Sequence, residues 1–168
     1  MWPFRRSGPP SRRTTMRRAQ ALASRGRADE AAELLSQYCT DHPDDFAALV
    51  NLGAVYYALG RYSPAIERFE QAVALKPESA TVWLNIGAAH NALGHIDKAI
   101  EALMKALEID PQHRDVHYNL AVAQQKKGRP LAAMAELELE LAVHPDHKQA
   151  RALADQLKAA LLPHDRDT

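Results

Sequence analysis

An all-α fold, a right-handed α-solenoid of helix–turn–helix repeats with a C-terminal capping helix, is predicted by two combs of residues and one stripe. Gly26, Gly60, Gly94 and Gly128 recur every 34 residues, and Pro43, Pro77, Pro111 and Pro145 recur at the same interval, each 17 residues after its glycine. A period of this length is one pair of antiparallel helices, with the first helix ending near the glycine and the second before the proline. The stripe is Ala150, Leu153, Ala154, Leu157 and Leu161, spaced for one face of a helix that covers the open end of a stack. The organisation read from these marks is an arm at 1–11, repeats at 12–45, 46–79, 80–113 and 114–147, a cap at 148–162 and a tail at 163–168.

The elements follow in order. Pro3, Gly8, Pro9, Pro10 and Ser11 predict a disordered arm. Residues 1–28 hold eight arginines and no acid, +8 in charge, so in a chain of zero net charge the remaining residues carry −8. A helix is possible from Thr14 to Arg25, with Met16, Ala19, Leu22 and Ala23 on one face. Thr15 and Arg18 stand where packing residues are needed, which puts this first helix in doubt. Each comb glycine can take positive φ and close a helix. Asp29, Ser63 and Asp97, three residues later, are expected to cap the second helices, with Pro64 at the tolerated first position, while Leu131 breaks the pattern. Each comb proline turns the chain into the next unit by disfavouring helix at the residue before it. Pro163 ends the cap before the polar tail.

The packing positions carry a family pattern. Residues 46–79 show Leu49, Leu52, Gly53, Tyr56, Ala65, Phe69, Ala72 and Pro77 at the large, apolar, small, aromatic, small, aromatic, small and proline slots. Residues 80–113 follow with Trp83, Ile86, Gly87, Ala99, Leu103, Ala106 and Pro111, with His90 in place of the aromatic. Residues 114–147 keep Leu120, Ala121, Ala133, Leu137 and Pro145 but have His117, Gln124 and Glu140 at three slots. Residues 12–45 retain Ala19, Gly26, Ala31, Leu35, Tyr38 and Pro43. The chain resembles the tetratricopeptide repeat family over roughly 46–147 and more weakly over 26–45. Small residues such as Gly53 and Ala65, or Gly87 and Ala99, stand where two helices must approach closely.

The resemblance implies a concave binding groove built by the first helix of each repeat. Carried onto this chain, its lining includes Val50, Asn51, Ala54 and Tyr57, then Leu84, Asn85, Ala88 and Asn91, then Tyr118, Asn119 and Gln125. Asn51, Asn85 and Asn119 fall at one slot of successive repeats, an arrangement similar to the asparagine ladder of O-linked sugar transferases. An amide offers a donor and an acceptor to the backbone of an extended peptide; asparagine is also common at this slot across the family. The lysines with which co-chaperone members clamp a terminal carboxylate are missing: the corresponding residues are Met16, Val50, Leu84 and Tyr118, and Arg13, Ala47, Thr81 and Asp115.

No phosphate loop or nucleophile elbow is present, so no catalytic residue is assigned and no cofactor is expected. His113 with His117, and His144 with His147, are read as surface histidines near turns, not as a metal site. Glu136, Glu138 and Glu140 are read as a solvated acidic face. Cys39 is expected to be a small buried residue, and the chain to be soluble and cytoplasmic, without a secretory leader or an apolar span. Leu139, at a slot held elsewhere by Gln37, Gln71 and Lys105, is expected either to be shielded by the terminal helix or to mark a partner contact. The expected function is a non-catalytic protein–protein interaction scaffold holding a partner peptide. The alternative is a peripheral membrane or nucleic-acid-tethered assembly protein with self-associating repeats, attached through Arg5, Arg6, Arg12, Arg13, Arg17 and Arg18. The same tail also has the composition of an organellar import segment.

Overall fold

The computed structural model describes residues 11–162, in which nine α-helices and no strands occur. Residues 1–10 and 163–168, which hold Arg5, Arg6, most of the expected arm and the expected tail, lie outside the described residues. Two compact units divide the chain, Met1–Leu75 and Lys76–Thr168. The first contains α1 (Arg12–Ser24), α2 (Ala28–Asp41), α3 (Phe46–Ala58) and α4 (Tyr62–Leu75). The second contains α5 (Ala80–Leu93), α6 (Ile96–Ile109), α7 (Val116–Lys126), α8 (Pro130–Val143) and α9 (Lys148–Leu161).

All four comb glycines take positive φ, from +71° to +76°. At Gly60, its own N–H donates to Tyr57 O and the next N–H, of Arg61, donates to Tyr56 O, so two orphaned carbonyls of α3 are satisfied in a Schellman closure. The same pair of bonds recurs after α1, α5 and α7. Because the closure already aims the following residue into a helix, the second helices start earlier than the side-chain signals indicate. Their N-caps are Arg27, His95 and Arg129, none with a side-chain cap bond, and Asp29 and Asp97 lie inside the first turn. Asp29, Ser63 and Asp97 are therefore not caps; Asp29 and Asp97 instead receive Arg61 and Lys127 in ion pairs of 2.7 and 2.5 Å. The second helices end two residues before each proline, with extended backbone such as φ −140° at Asp110.

The close approaches are measurable at two glycines. A Cβ on Gly53 would lie 2.5 Å from the Phe69 ring, and one on Gly87 would lie 2.6 Å from Leu103 Cγ. Phe69 and Leu103 are fully buried against these bare backbones. Ala65, Ala99 and Ala133 are equally inaccessible on the partner helices.

Helix α1 forms despite its doubtful sequence. Ser11 Oγ accepts the Thr14 N–H at its start, Thr15 and Ala19 turn inward, and Arg18, at a slot expected to pack, stays exposed. The small Thr15 side chain can be buried only because α2 and α3 come close to α1, and its hydroxyl has no hydrogen-bond partner. At the other end, Ala150, Leu153, Ala154 and Leu157 of α9 pack on Ala133, Leu137 and Leu141 of α8. Leu161 is left largely exposed. Leu139 is 51% exposed and is not shielded by the terminal helix, because α9 rests on the neighbouring Leu137 and Leu141 face.

Replacing Gly53 by alanine forces the Phe69 ring out of its site, and Gly53→Ala is expected to lower unfolding free energy by about 1–3 kcal/mol. Equilibrium urea unfolding measures it, and a paired Gly53→Ala, Phe69→Leu variant should recover part of the loss.

Candidate functional site

The first unit holds a cavity of about 410 Å³ between α1 and α3, bounded also by Ala28 and Leu35 of α2. Met16, Ala19, Gln20 and Ala23 form one wall, and Asn51, Ala54, Val55 and Ala58 form the other. The alanines make this hollow: with side chains of one carbon on both walls, the helices leave room that larger residues would fill. No lining residue is charged. The polar groups are the amides of Gln20 and Asn51, and Asn51 Nδ2 lies 3.4 Å from Met16 Sδ at an exposed position. Asn51 and Ala54 are sequence-predicted groove residues, and Tyr57 is also exposed on α3, edge-on to Tyr62 at 5.3 Å. Val50 is half-buried. The wall from α1 was missed, since Thr15 and Arg18 had put that helix in doubt.

In the second unit the predicted lining behaves differently. Leu84 is 8% exposed and belongs to a core with Ala80, Leu103, Ala106, Val116 and Leu120. Asn91, 4% exposed, donates from Nδ2 to Asn119 O at 2.9 Å, while Lys126 Nζ donates to Asn91 O. Asn119 Nδ2 donates to Asp115 O at 2.8 Å, one turn back in its own helix. Leu84 and Asn91 are thus joints between α5 and α7 and not groove surface, because α7 packs directly on α5. Asn85, Ala88, Tyr118, Asn119 and Gln125 remain half-buried and accessible in part.

The acidic residues of α8 also differ from expectation. Glu136 receives His117 Nδ1 at 2.8 Å. Glu140 is 1% exposed and accepts the N–H groups of Asp115 and Tyr118 at 3.0 and 3.3 Å, taking the place of a cap at the start of α7. Only Glu138 is solvated. The bonds to Glu140 hold Asp115 at φ +72°, a conformation rare outside glycine, and α7 starts at Val116, two residues after the repeat boundary at 114. His147 is 2% exposed, not a surface histidine, and its Nε2 lies 2.7 Å from Asp115 Oδ1 and 3.7 Å from Glu140 Oε1. Asp115, Glu140 and His147 bring three ligand-type atoms within 4.8 Å. Ala150 N–H donates to His147 Nδ1, which assigns the ring proton to Nε2, where it is given to Asp115. The cluster is a hydrogen-bonded latch that joins α7, α8 and α9, with Arg114 bidentate on Asp146 beside it at 3.1 and 3.2 Å.

His90 fills an aromatic slot in α5. Burial, with smaller contributions from His95 and Lys98, holds its imidazole below the usual histidine range, and Nδ1 has no hydrogen-bond partner.

Helix pairs closed by left-handed glycines, with small residues at each close approach, define the tetratricopeptide class. Residues 3–163 match the family described as the cilia and flagella-associated protein 70 C-terminal domain, a tetratricopeptide family to which the chain belongs. None of the curated protein sequences compared with it matches. Among solved structures, TTC0263, a thermophilic TPR protein of Thermus thermophilus, is similar with a TM-score of 0.77 and 23% identity, over 90% of this chain and 83% of that one. MamA is similar with a TM-score of 0.75 and 22% identity, over 84% of this chain and 83% of its own. The Arabidopsis OM64 TPR domain gives 0.65 and 22%, over 69% and 96%. These likenesses are of fold.

Two outcomes are expected. Glu140→Gln turns an amide donor toward one of two buried N–H groups and should destabilise the second unit by about 2–3 kcal/mol, with amide exchange rising at Asp115 and Tyr118. For His90 the unfolded chain binds the proton more readily than the folded one. Its contribution is complete above about pH 6.5 and is lost as pH falls toward the lower folded value. Denaturant unfolding at pH values on both sides of that point should show stability falling with acid, by at most about 1.4 kcal/mol per pH unit from this group, and His90→Phe should remove that share.

Proposed function

We propose that this protein is a non-catalytic interaction scaffold that holds a partner peptide on the first helices of its repeats. The observation that carries the reading is the uncharged cavity between α1 and α3, where alanine-lined walls flank the amides of Gln20 and Asn51. A hollow of about 410 Å³ is large enough for one bulky apolar side chain. The amides at its edge can pair with the peptide backbone on either side, as donor and acceptor. The peptide would extend along Ala54, Val50 and Tyr57, and the partly accessible Asn85, Ala88, Tyr118, Asn119 and Gln125 would serve the second unit in the same manner.

A second reading is favoured by α1 itself. Arg13, Arg17 and Arg18 are exposed and form no ion pair among the described residues, whereas Arg12 is bound to Asp45 at 2.9 Å. Such a face would add an electrostatic attachment to an anionic membrane surface or to nucleic acid.

Filling the cavity separates the two. Ala54→Trp and Asn51→Ala, at unchanged helicity, are expected to weaken binding of a captured partner peptide about tenfold or more, with little dependence on salt. Isothermal titration at low and high salt is the measurement. Unchanged affinity in both variants, with steep salt dependence, would transfer the function to the arginine face.

A further inference from the structure

A second, smaller concavity of about 130 Å³ lies in the first unit, lined by Ser36, Cys39 and Thr40 of α2, Leu52 of α3 and Arg68 of α4. Its chemistry is unlike that of the peptide cavity. Arg68 makes no ion pair among the described residues; one terminal nitrogen donates to Gln71 Oε1 at 3.0 Å, and its Nε is buried with no hydrogen-bond partner. A buried N–H of a cation without an acceptor is costly, by more than the loss of a neutral bond. The other donors point the same way. Ser36 Oγ and Tyr56 Oη lie 3.0 Å apart, and with Tyr56 as the donor of that bond the Ser36 proton is left for the concavity. Cys39 is a thiol at neutral pH, because burial pushes it up to about 11 against the pull of Arg68, so it too is a donor. Thr40 has committed its proton to Ser36 O. Asp45, whose charge is felt at Cys39, is already held by Tyr38, the Ala48 N–H and Arg12, and does not neutralise Arg68.

We propose that this concavity is an oxyanion subsite, taking one carboxylate or phosphate-type group on the guanidinium of Arg68, with Ser36 and Cys39 as further donors. The volume admits a single such group and excludes a nucleotide. The two sources of that chemistry are a free inorganic anion and the acidic side chain of a docked partner.

Phosphate and acetate are the probes, titrated separately into the full chain at constant ionic strength with chloride as the balance. Readouts are the Arg68 Nε–H resonance and the rate at which a neutral maleimide modifies Cys39. The expected result is a saturable shift of the Arg68 signal and at least threefold protection of Cys39. Both should be lost in Arg68→Met and weakened in Arg68→Lys, which keeps the charge without the Nε–H. Saturation by phosphate alone assigns a free anion, and saturation by acetate as well assigns a carboxylate-accepting site. A response equal to that of chloride, or one that persists in Arg68→Met, overturns the proposal. If Arg68→Met does not fold, failure of either anion to slow Cys39 modification in the unaltered chain overturns it equally.

Discussion

Within each repeat, everything depends on how near two helix backbones can come. At Gly53 and Gly87 the partner side chain sits where a Cβ would be, and the space gained holds Phe69 and Leu103 entirely out of water. Burying each of these side chains is worth about 1.5–3 kcal/mol, several times the propensity lost by placing glycine inside a helix. The alanines opposite, Ala65 and Ala99, complete the approach. Once the two helices are seated, the exposed faces are left free to vary, and the alanine-walled cavity between α1 and α3 uses that freedom.

The second unit shows what happens where the pattern is broken. Glutamate replaces the small residue at position 140, and the fold adapts by turning that carboxylate under the start of the preceding helix, α7, as a cap built from a different element. The adaptation costs a left-handed non-glycine residue at Asp115 and a shortened α7, and it recruits His147 to hold Asp115. A polar group that would be expensive if unpaired becomes a fixed joint when every neighbour supplies a bond.

The candidate site was legible in part. Asn51, Ala54 and Tyr57 lie on an exposed face because the slot pattern places them opposite the packed Leu49, Leu52 and Gly53. Leu84 and Asn91 occupy equivalent slots and are buried, since α7 closes on α5 and draws them into the joint. Met16 and Ala23 read as one face of a possible helix but, with Gln20, stay out of the predicted lining, because a helix with threonine and arginine at packing slots looks weak by itself; its neighbours stabilise it. Arg68 had no signal at all, because an unpaired Nε is a property of three helices meeting and not of any one of them.

The sequence alone determined the repeat period, the helix pairing and the tetratricopeptide class, because those rest on backbone requirements that recur at a fixed interval: positive φ at glycine, lost helix before proline, and small residues at close approach. Tertiary structure decided the rest. The roles of Glu140, His147 and Asn91 depend on which side chains face one another across elements 20 or more residues apart, a matter of mutual burial and bond geometry that local spacing does not encode.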